Sequence, residues 1–157
     1  MTEQNWYSTL PKKRSAAGAM LFNEQGDMLI VKPNYRDHWL LPGGVIDDNE
    51  SPRTAVIREI QEEIGLTVSN VTMRCMDYTC AEAAGESYQF IFDGGMLSQE
   101  MVDQIILQQE ELDEFVFLPK EQALPRLSVG IQQRLHAVFS ADNNAFVYLE
   151  MGAPVSR

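Results

Sequence analysis

Residues 44–66 constrain the fold more strongly than any other part of the 157-residue chain, because they place several acids on one side of a predicted helix. A helix turns by about 100° per residue. With Ala55 set at zero, Glu59 lies near about 40°, Glu62 near about 340° and Glu63 near about 80°. These carboxylates therefore share one face of the helix. A different face of the helix must pack against the rest of the protein.

The ends of this helix carry residues with clear capping preferences. Ser51 is a favourable N-cap, Pro52 suits the first helical position, and Gly65 is a favourable C-terminal stop. The predicted helix therefore covers residues 52–64. An apolar face adjoins the acidic one and consists of Val56, Ile57, Ile60 and Ile64.

Acids on one helical face repel one another, and a like-charged pair spaced by four residues costs about 0.2–0.5 kcal/mol. The acids either form a solvated surface or bind a divalent cation that offsets the repulsion. Hard carboxylate oxygens suit Mg²⁺ or Mn²⁺. The acidic pattern taken alone favours the solvated surface, and the segment around it changes the interpretation to the cation.

The same segment resembles the signature of the Nudix family, G-x5-E-x7-R-E-U-x-E-E-x-G-U, in which U is a bulky aliphatic residue. Every fixed position matches, namely Gly44, Glu50, Arg58, Glu59, Ile60, Glu62, Glu63, Gly65 and Leu66. The preceding run from Trp39 to Gly44 also resembles a family segment. The resemblance implies an α/β fold, a Nudix-like α/β/α sandwich with a mixed β-sheet between helices. It also implies a single Nudix hydrolase domain over residues 1–157.

The resemblance implies roles for individual residues of the signature. Arg58 would pair with Glu50 and so fix the loop that precedes the helix. The metal ligands would be Glu59, Glu62, Glu63 and the carbonyl of Gly44. The cofactor would be Mg²⁺, with Mn²⁺ as the alternative.

One more acid is expected downstream, where residues 110–119 resemble the family segment in which acids precede a hydrophobic strand. Glu111 is the first choice for a residue that completes the metal site or acts as the base, and Glu110 and Glu114 follow it. The identity of the proton acceptor stays open between Glu59 and Glu111.

The activity implied by the resemblance is that of a metal-dependent pyrophosphohydrolase. Such an enzyme cleaves a nucleoside diphosphate linked to another moiety X by attack of water on phosphorus. A non-catalytic nucleotide-sensing Nudix module is the alternative, and an isoprenoid diphosphate isomerase is a weaker one. Sensor modules commonly lose signature acids and the isomerase departs from the signature, whereas this chain keeps every acid.

The expected partner is a small-molecule nucleotide or another diphosphate. The net charge of −11 argues against binding of a nucleic-acid polymer, which requires a basic surface. We expect the substrate to contact Arg14, Lys32, Arg36 and Trp39, with Tyr35, Tyr78 and Phe90 as further candidates for stacking on a base. The sequence markers of NADH and ADP-ribose hydrolases are absent, since Ala81 stands where the latter carry proline. The substrate is therefore left open.

The sequence offers no sign of a membrane or of secretion. No apolar run approaches the roughly 18 residues of a membrane span, and no apolar segment precedes the basic cluster at residues 12–14. We expect a cytoplasmic location with Cys75 and Cys80 reduced. The apolar strand predicted at residues 145–150 would suit a homodimer.

The remaining elements are predicted from hydrophobic periodicity and turn residues. An extended lead-in is expected over residues 1–14 and a loop over residues 79–86. Strands are expected at residues 15–22, 28–32, 71–77, 87–92, 105–108 and 145–150, with another directly after Glu114. The strand at 87–92 is expected to end at residues 93–95. Helices are expected at residues 120–124 and 125–141, and a short helix or irregular turn at 96–104.

Overall fold

The computed structural model describes residues 2–156, and within them an eight-stranded mixed sheet lies between helices. The strands are β1 (Arg14–Phe22), β2 (Met28–Pro33), β3 (Gly43–Val45), β4 (Thr72–Ala81), β5 (Gly85–Met96), β6 (Leu112–Leu118), β7 (Val147–Glu150) and β8 (Ala153–Pro154). The α-helices are α1 (Glu3–Ser8), α2 (Pro52–Ile64), α3 (Gln99–Asp103), α4 (Lys120–Ala123) and α5 (Val129–Ser140). The predicted α/β class with a mixed sheet is confirmed.

The sheet opens between two of its central strands. Its order is β6-β2-β1-β5-β4-β7-β8, with β3 paired to β1, and the β1–β5 and β4–β7 pairs are parallel. β1 and β2 pair directly only where Phe22 meets Met28. Farther along they diverge, and residues 40–45 lie between them, with the Ala19 N–H donating to the Pro42 carbonyl at 2.9 Å. This inserted segment carries a glycine pair into the sheet.

Each face of the sheet is covered by one principal helix. α2 buries Val56, Ile60 and Ile64 in the core on one face, and α5 buries Leu135 and Val138 in the core on the other. Each such side chain stabilises the fold by about 1.5–3 kcal/mol relative to exposure. The two apolar cores therefore fix α2 and α5 on opposite faces of the sheet.

The ends of α2 agree with the prediction from sequence. The Ser51 hydroxyl accepts a hydrogen bond from the Thr54 N–H at 3.1 Å, which satisfies a free donor of the first turn. Gly65 adopts a left-handed conformation with φ of 74°, and its N–H donates to the Gln61 carbonyl at 3.0 Å. Both ends were predictable because the caps are local.

The prediction of an extended lead-in over residues 1–14 is wrong. Residues Glu3–Ser8 form α1, which begins after Thr2, whose hydroxyl accepts from the Asn5 N–H at 3.3 Å. No residue of α1 is buried. A helix without a buried face leaves no hydrophobic periodicity in the sequence, which explains the error. Met1 lies outside the described residues.

The predictions of a loop at residues 79–86 and of a strand end at residues 93–95 are also wrong. β4 and β5 form a long hairpin in which Thr79 pairs with Ser87 and Ala81 with Gly85, so that only residues 82–84 connect them. β5 continues through two glycines to Met96 because it also pairs in parallel with β1. Pairing with β1, from Met20–Asp93 to Phe22–Met96 across a register shift, outweighs the low strand propensity of glycine.

Residues 105–108 form an irregular segment rather than the predicted strand. Their backbone N–H groups complete the end of α2, since Ile106 donates to the Ile64 carbonyl at 3.1 Å and Gln108 to the Glu63 carbonyl at 2.9 Å. The predicted helix over 125–141 begins later, at Val129, after a short 3₁₀ turn (Leu124–Arg126).

Strand β7 lies inside the sheet instead of forming a free edge, because β4 flanks it on one side and β8 on the other. Among residues 2–156, no helix combines the length and the apolar character that crossing a lipid bilayer requires.

We expect Gly43→Ala to lower the free energy of unfolding by about 2–5 kcal/mol. A side chain at a positive φ costs about 1–2 kcal/mol, and overpacking adds about 1–3 kcal/mol. Gly43 has φ of +154°, and a Cβ there would lie 2.2 Å from the Ala17 carbonyl oxygen of the neighbouring strand. Urea unfolding measures the loss.

Gly85→Ala is the matched control, since Gly85 also has a positive φ of +70° but no atom within 4 Å of the added Cβ. It should lose only about 1–2 kcal/mol. Equal losses in the two variants would show that the β1–β3 contact does not require glycine.

Candidate functional site

The acidic face of α2 lies directly against the inserted glycine pair. Glu63 is 6% exposed, and its Oε2 accepts a hydrogen bond from the Gly43 N–H at 2.8 Å. A Cβ at Gly44 would lie 2.5 Å from the Cδ of Glu59. Glu59 therefore occupies space that exists because residue 44 has no side chain, and Glu63 is held by the backbone of residue 43.

Four carboxylates share this region and influence one another. The pKa of Glu63 is raised to about 8, mainly by burial. The hydrogen bond from the Gly43 N–H lowers this pKa, and the charges of Glu59, Glu111 and Glu62 add to the rise. Burial is also the main cause that raises the pKa of Glu59, with Glu62 and Glu111 adding to it. The site thus concentrates negative charge that protein groups only partly offset.

Arg58 is the main counter-charge. Its Nε donates to Glu50 Oε2 at 2.7 Å and its Nη2 to Glu50 Oε1 at 2.9 Å. Its Nη1 donates to Glu59 Oε1 and to Glu62 Oε2, both at 3.0 Å, and Nη2 also reaches the Val45 carbonyl at 3.2 Å. One guanidinium therefore links the strand and loop before α2 to two acids of the helix.

Glu50 is the strongest partner of this arginine. The hydrogen bonds from Arg58 and from the Asp47 N–H lower the pKa of Glu50 to about 2, with Arg58 as the larger cause. The pairing of Arg58 with Glu50 that the resemblance implies is thus present in the structure. Glu50 remains ionised at neutral pH and fixes residues 45–50 onto α2.

Glu111 approaches the same acids from a different part of the chain. It lies in the turn before β6, where its carbonyl accepts from the Asn34 N–H at 2.9 Å and the Glu110 carbonyl accepts from Asn34 Nδ2 at 2.8 Å. Its side chain is exposed, and its charge raises the pKa of both Glu59 and Glu63. Glu114 lies on β6 opposite Lys32.

The donor set suits a hard divalent cation, although residues 2–156 contain no ready-made cluster of three His, Cys, Asp or Glu side chains for one. Glu59 and Glu62 are engaged by Arg58, and Glu63 by the Gly43 N–H. Carboxylate oxygens are the ligands that Mg²⁺ and Mn²⁺ prefer. The residues fit such an ion by chemistry, and the ion would have to replace contacts made by Arg58.

A cavity of about 330 Å³ adjoins the glycine pair on the side away from the acids of α2. Much of its wall is apolar and comes from Ala16, Ala17, Leu40, Leu41, Ile91 and Ile131. Two of the predicted substrate-binding residues, Arg14 and Arg36, line it and are exposed. Tyr35 and Phe90 also line it.

The other two predicted substrate-binding residues lie outside the cavity wall. Lys32 donates from Nζ to the carbonyls of Pro33, at 2.9 Å, and of Arg36, so it holds the loop after β2. The guanidinium of Arg126 lies over the Trp39 ring, with its Cζ 5.7 Å from the ring centre. Tyr78, a stacking candidate, instead donates to Glu86 at 2.6 Å.

Two cavity residues escaped the sequence analysis, namely Arg134 of α5 and Gln89 of β5. Arg134 falls within the apolar stripe of α5, between Ile131 and Val138, where a charge is unexpected. That interruption was the available signal. Gln89 carried none, because its position depends on the pairing of distant strands.

The NUDIX domain family model matches residues 12–138, which is most of the chain. This protein belongs to the NUDIX family. The match includes the glycine pair, the acids of α2, Glu111 and both residues that the sequence analysis missed. The family resemblance drawn from residues 44–66 is confirmed.

Curated relatives of this NUDIX protein match over shorter segments. An 8-oxo-dGTP diphosphatase from Proteus vulgaris is 35% identical over 66 residues, which are 40% of this chain and 59% of that protein. An RNA pyrophosphohydrolase from Hydrogenovibrio crunogenus is 40% identical over 58 residues, which are 37% of this chain and 35% of that protein. The matched segments thus span between about a third and three-fifths of these relatives' lengths.

A solved structure shows the same fold over most of the chain. The MutT protein from Methanosarcina mazei Go1 superposes with a TM-score of 0.68 at 24% sequence identity. The superposition covers 82% of this chain and 95% of that one.

We expect Arg58→Gln to lower the free energy of unfolding of this NUDIX protein by about 1–3 kcal/mol, because hydrogen bonds to charged groups are lost while Glu50 stays covered. Thermal unfolding monitored by circular dichroism measures the loss. Arg53→Gln on the same helix is the control, since its exposed guanidinium donates only to the Ser69 carbonyl. If both variants lose equally little, Arg58 does not hold the loop.

Proposed function

We propose that this protein is a metal-dependent pyrophosphohydrolase that cleaves a nucleoside diphosphate linked to another moiety. The observation that carries the proposal is the contact of two oppositely charged regions at the glycine pair. On one side lie the buried Glu63 and the partly buried Glu59, and on the other lies a cavity with Arg14 and Arg36 in its wall. A diphosphate requires both a cation on the acids and basic groups for its outer oxygens.

The residues that would hold the cation are Glu59, Glu62, Glu63, Glu111 and the carbonyl of Gly44. Mg²⁺ is the proposed ion and Mn²⁺ the alternative. When bound, the ion neutralises diphosphate oxygens and favours ionisation of the attacking water. Support comes from the carboxylate chemistry of the set and from the space left by Gly44.

Arg14 and Arg36 bind the phosphates in this proposal. Both are exposed at the cavity, and neither forms a salt bridge within the described residues, so their charges are available to a ligand. Arg36 also lies over the ring of Tyr35, with its Cζ 5.5 Å from the ring centre. That contact limits the orientations of a long side chain before the substrate arrives.

Glu111 is the proton acceptor that we propose, with Glu59 as the alternative. Glu59 Oε1 accepts a hydrogen bond from Arg58 Nη1, which favours a fixed carboxylate. Glu111 is exposed, and within the described residues only its backbone groups form hydrogen bonds, with Asn34 and Gln108, so its carboxylate is free to receive a proton. Arg58 and Glu50 act by positioning the acids of α2.

The rival isomerase needs a catalytic cysteine, and the structure offers no suitable one among residues 2–156. Cys75 is buried, and burial raises its pKa to about 12. Cys80 is exposed near the end of β4, where it pairs with Glu86, and neither cysteine lines the cavity. The relatives named as a pyrophosphohydrolase and a diphosphatase support hydrolysis instead.

The proposal extends to the context of the reaction. We infer one Nudix hydrolase domain over residues 1–157, a cytoplasmic location and a small-molecule nucleotide as the partner. The acidic net charge of −11 supports a small substrate over a nucleic-acid polymer.

We expect Glu62→Gln to lower kcat by at least about 10²-fold while the protein still folds, because the side chain is 50% exposed and its loss affects the cation more than the core. Steady-state kinetics and circular dichroism measure the two effects. Glu82→Gln, an exposed acid in the β4–β5 turn, should leave kcat unchanged. Unchanged activity in Glu62→Gln would refute the proposed ligand set.

A panel of nucleotides with Mg²⁺ or Mn²⁺ tests the function itself. We expect release of phosphate, pyrophosphate or a nucleoside monophosphate from at least one nucleotide, and loss of this activity when a chelator removes the ion. The products can be separated by ion-exchange chromatography. Binding without turnover across the whole panel would instead support the nucleotide-sensing module.

A further inference from the structure

The arginine that the sequence analysis missed is held by a buried carboxylate. Arg134 Nε donates to Asp77 Oδ2 at 2.7 Å, with the arginine side chain 11% exposed and the aspartate fully buried. Asp77 Oδ1 accepts from the Gly152 N–H at 3.0 Å, at the turn between β7 and β8. Both oxygens of Asp77 are therefore fixed, and they fix the guanidinium in turn.

The Nη groups of Arg134 are the donors that remain for a ligand. No oxygen within residues 2–156 accepts a hydrogen bond from them, although Arg134 forms part of the cavity wall. A Cβ at Gly130 would lie 3.2 Å from Nη2, so the glycine leaves the edge of the guanidinium uncrowded. Arg134, a residue of the cavity wall, thus has a planar pair of unpartnered donors whose orientation is fixed by Asp77.

Within residues 2–156, Arg134 has a buried acidic partner, whereas Arg14 and Arg36, the other two arginines of the cavity wall, do not. Asp77 neutralises it in place, so the buried pair offers hydrogen-bond donors without net charge. Arg14 and Arg36 are exposed and have no acidic partner among the described residues. A phosphate therefore gains more at Arg14 and Arg36, whereas a neutral acceptor suits Arg134.

The wall of the same cavity also carries an acceptor oxygen, from Gln89. Gln89 Nε2 donates to Ser87 Oγ at 2.9 Å, which leaves its Oε1 free to accept. Gln89 and Asp77 are paired directly across β4 and β5, so their side chains lie next to each other on the face that α5 covers. The cavity thus combines two parallel donors, one neighbouring acceptor and apolar walls.

This combination matches the edge of one class of base. We propose that the cavity receives the nucleobase of the substrate and that Arg134, positioned by Asp77, and Gln89 select a 6-oxopurine. The proposal rests on the nucleotide hydrolysis inferred above. The guanidinium fork fits the O6 and N7 acceptors, a pairing used widely in guanine recognition, and Gln89 Oε1 fits the N1–H donor.

A 6-aminopurine meets the same groups unfavourably. Its exocyclic amine places a donor against the donors of Arg134, and its unprotonated N1 places an acceptor against Gln89 Oε1. The selectivity therefore comes from repulsion of the wrong base as well as attraction of the right one. Arg134 is a specificity-determining residue in this proposal, and Asp77 is a positioning residue.

The test measures binding of GMP and AMP by calorimetry, because neither has a bond that the enzyme would cleave, and compares hydrolysis of GTP and ATP. The wild-type protein should bind GMP at least about tenfold more tightly than AMP. Arg134→Lys keeps a positive charge beside Asp77 but removes the fork. It should weaken GMP binding by about 10- to 100-fold and leave AMP binding nearly unchanged.

Kinetics separate this role from a structural one. In Arg134→Lys, KM for GTP should rise while kcat stays near the wild-type value, because the lost contact is equal in the ground state and the transition state. Arg53→Lys is the matched control, since it makes the same chemical change on the exposed side of α2. It should preserve the GMP preference.

The outcomes distinguish this inference from the proposed function. Equal affinity of the wild-type protein for GMP and AMP overturns the base assignment, and so does an equal loss for both nucleotides in Arg134→Lys. If Arg134→Lys does not unfold cooperatively, Gln89→Leu decides, since it should weaken GMP binding alone. GMP selectivity without any hydrolysis would refute the proposed enzyme and leave the base assignment standing.

Discussion

The rest of the structure depends on the containment of like charge at one helical face. Glu59 and Glu63 stand one turn apart, and Glu63 is almost fully buried, so each disfavours ionisation of the other. An exposed pair of this kind costs only a few tenths of a kcal/mol, but burial multiplies the cost because the surrounding dielectric is low. Arg58 and the Gly43 N–H are the groups that offset it.

The inserted segment at residues 40–45 links this charge to the cavity. Because β1 and β2 pair directly only at Phe22 and Met28, the sheet has room for a third stretch of backbone between them. In that stretch Gly44 lets Glu59 of α2 approach closely, Gly43 lets the backbone of β1 do so, and both glycines line the cavity. One local opening of the sheet thus places acids and cavity side by side.

The sequence reveals those parts of this arrangement that are encoded locally. The bounds of α2 and its acidic face follow from residues within a single segment, whereas the Arg58–Glu50 pair and the first rank of Glu111 came from the family resemblance. The β4–β5 hairpin was misjudged because its glycines are held in strands by pairing with distant residues, Gly85 with β4 and residues 94–95 beside β1. Arg134 and Asp77 are 57 residues apart, so no local pattern connects them.

The contacts of Arg58 explain how one arginine can stabilise the acids without blocking a cation. Glu50 accepts two hydrogen bonds from it, at 2.7 and 2.9 Å, whereas Glu59 and Glu62 accept one each at 3.0 Å. A cation on the oxygens of Glu59 and Glu62, as proposed above, would replace the weaker contacts and leave Arg58 bound to Glu50. The loop before α2 would then stay anchored with or without the cation, because its anchor is Glu50 rather than Glu59 or Glu62.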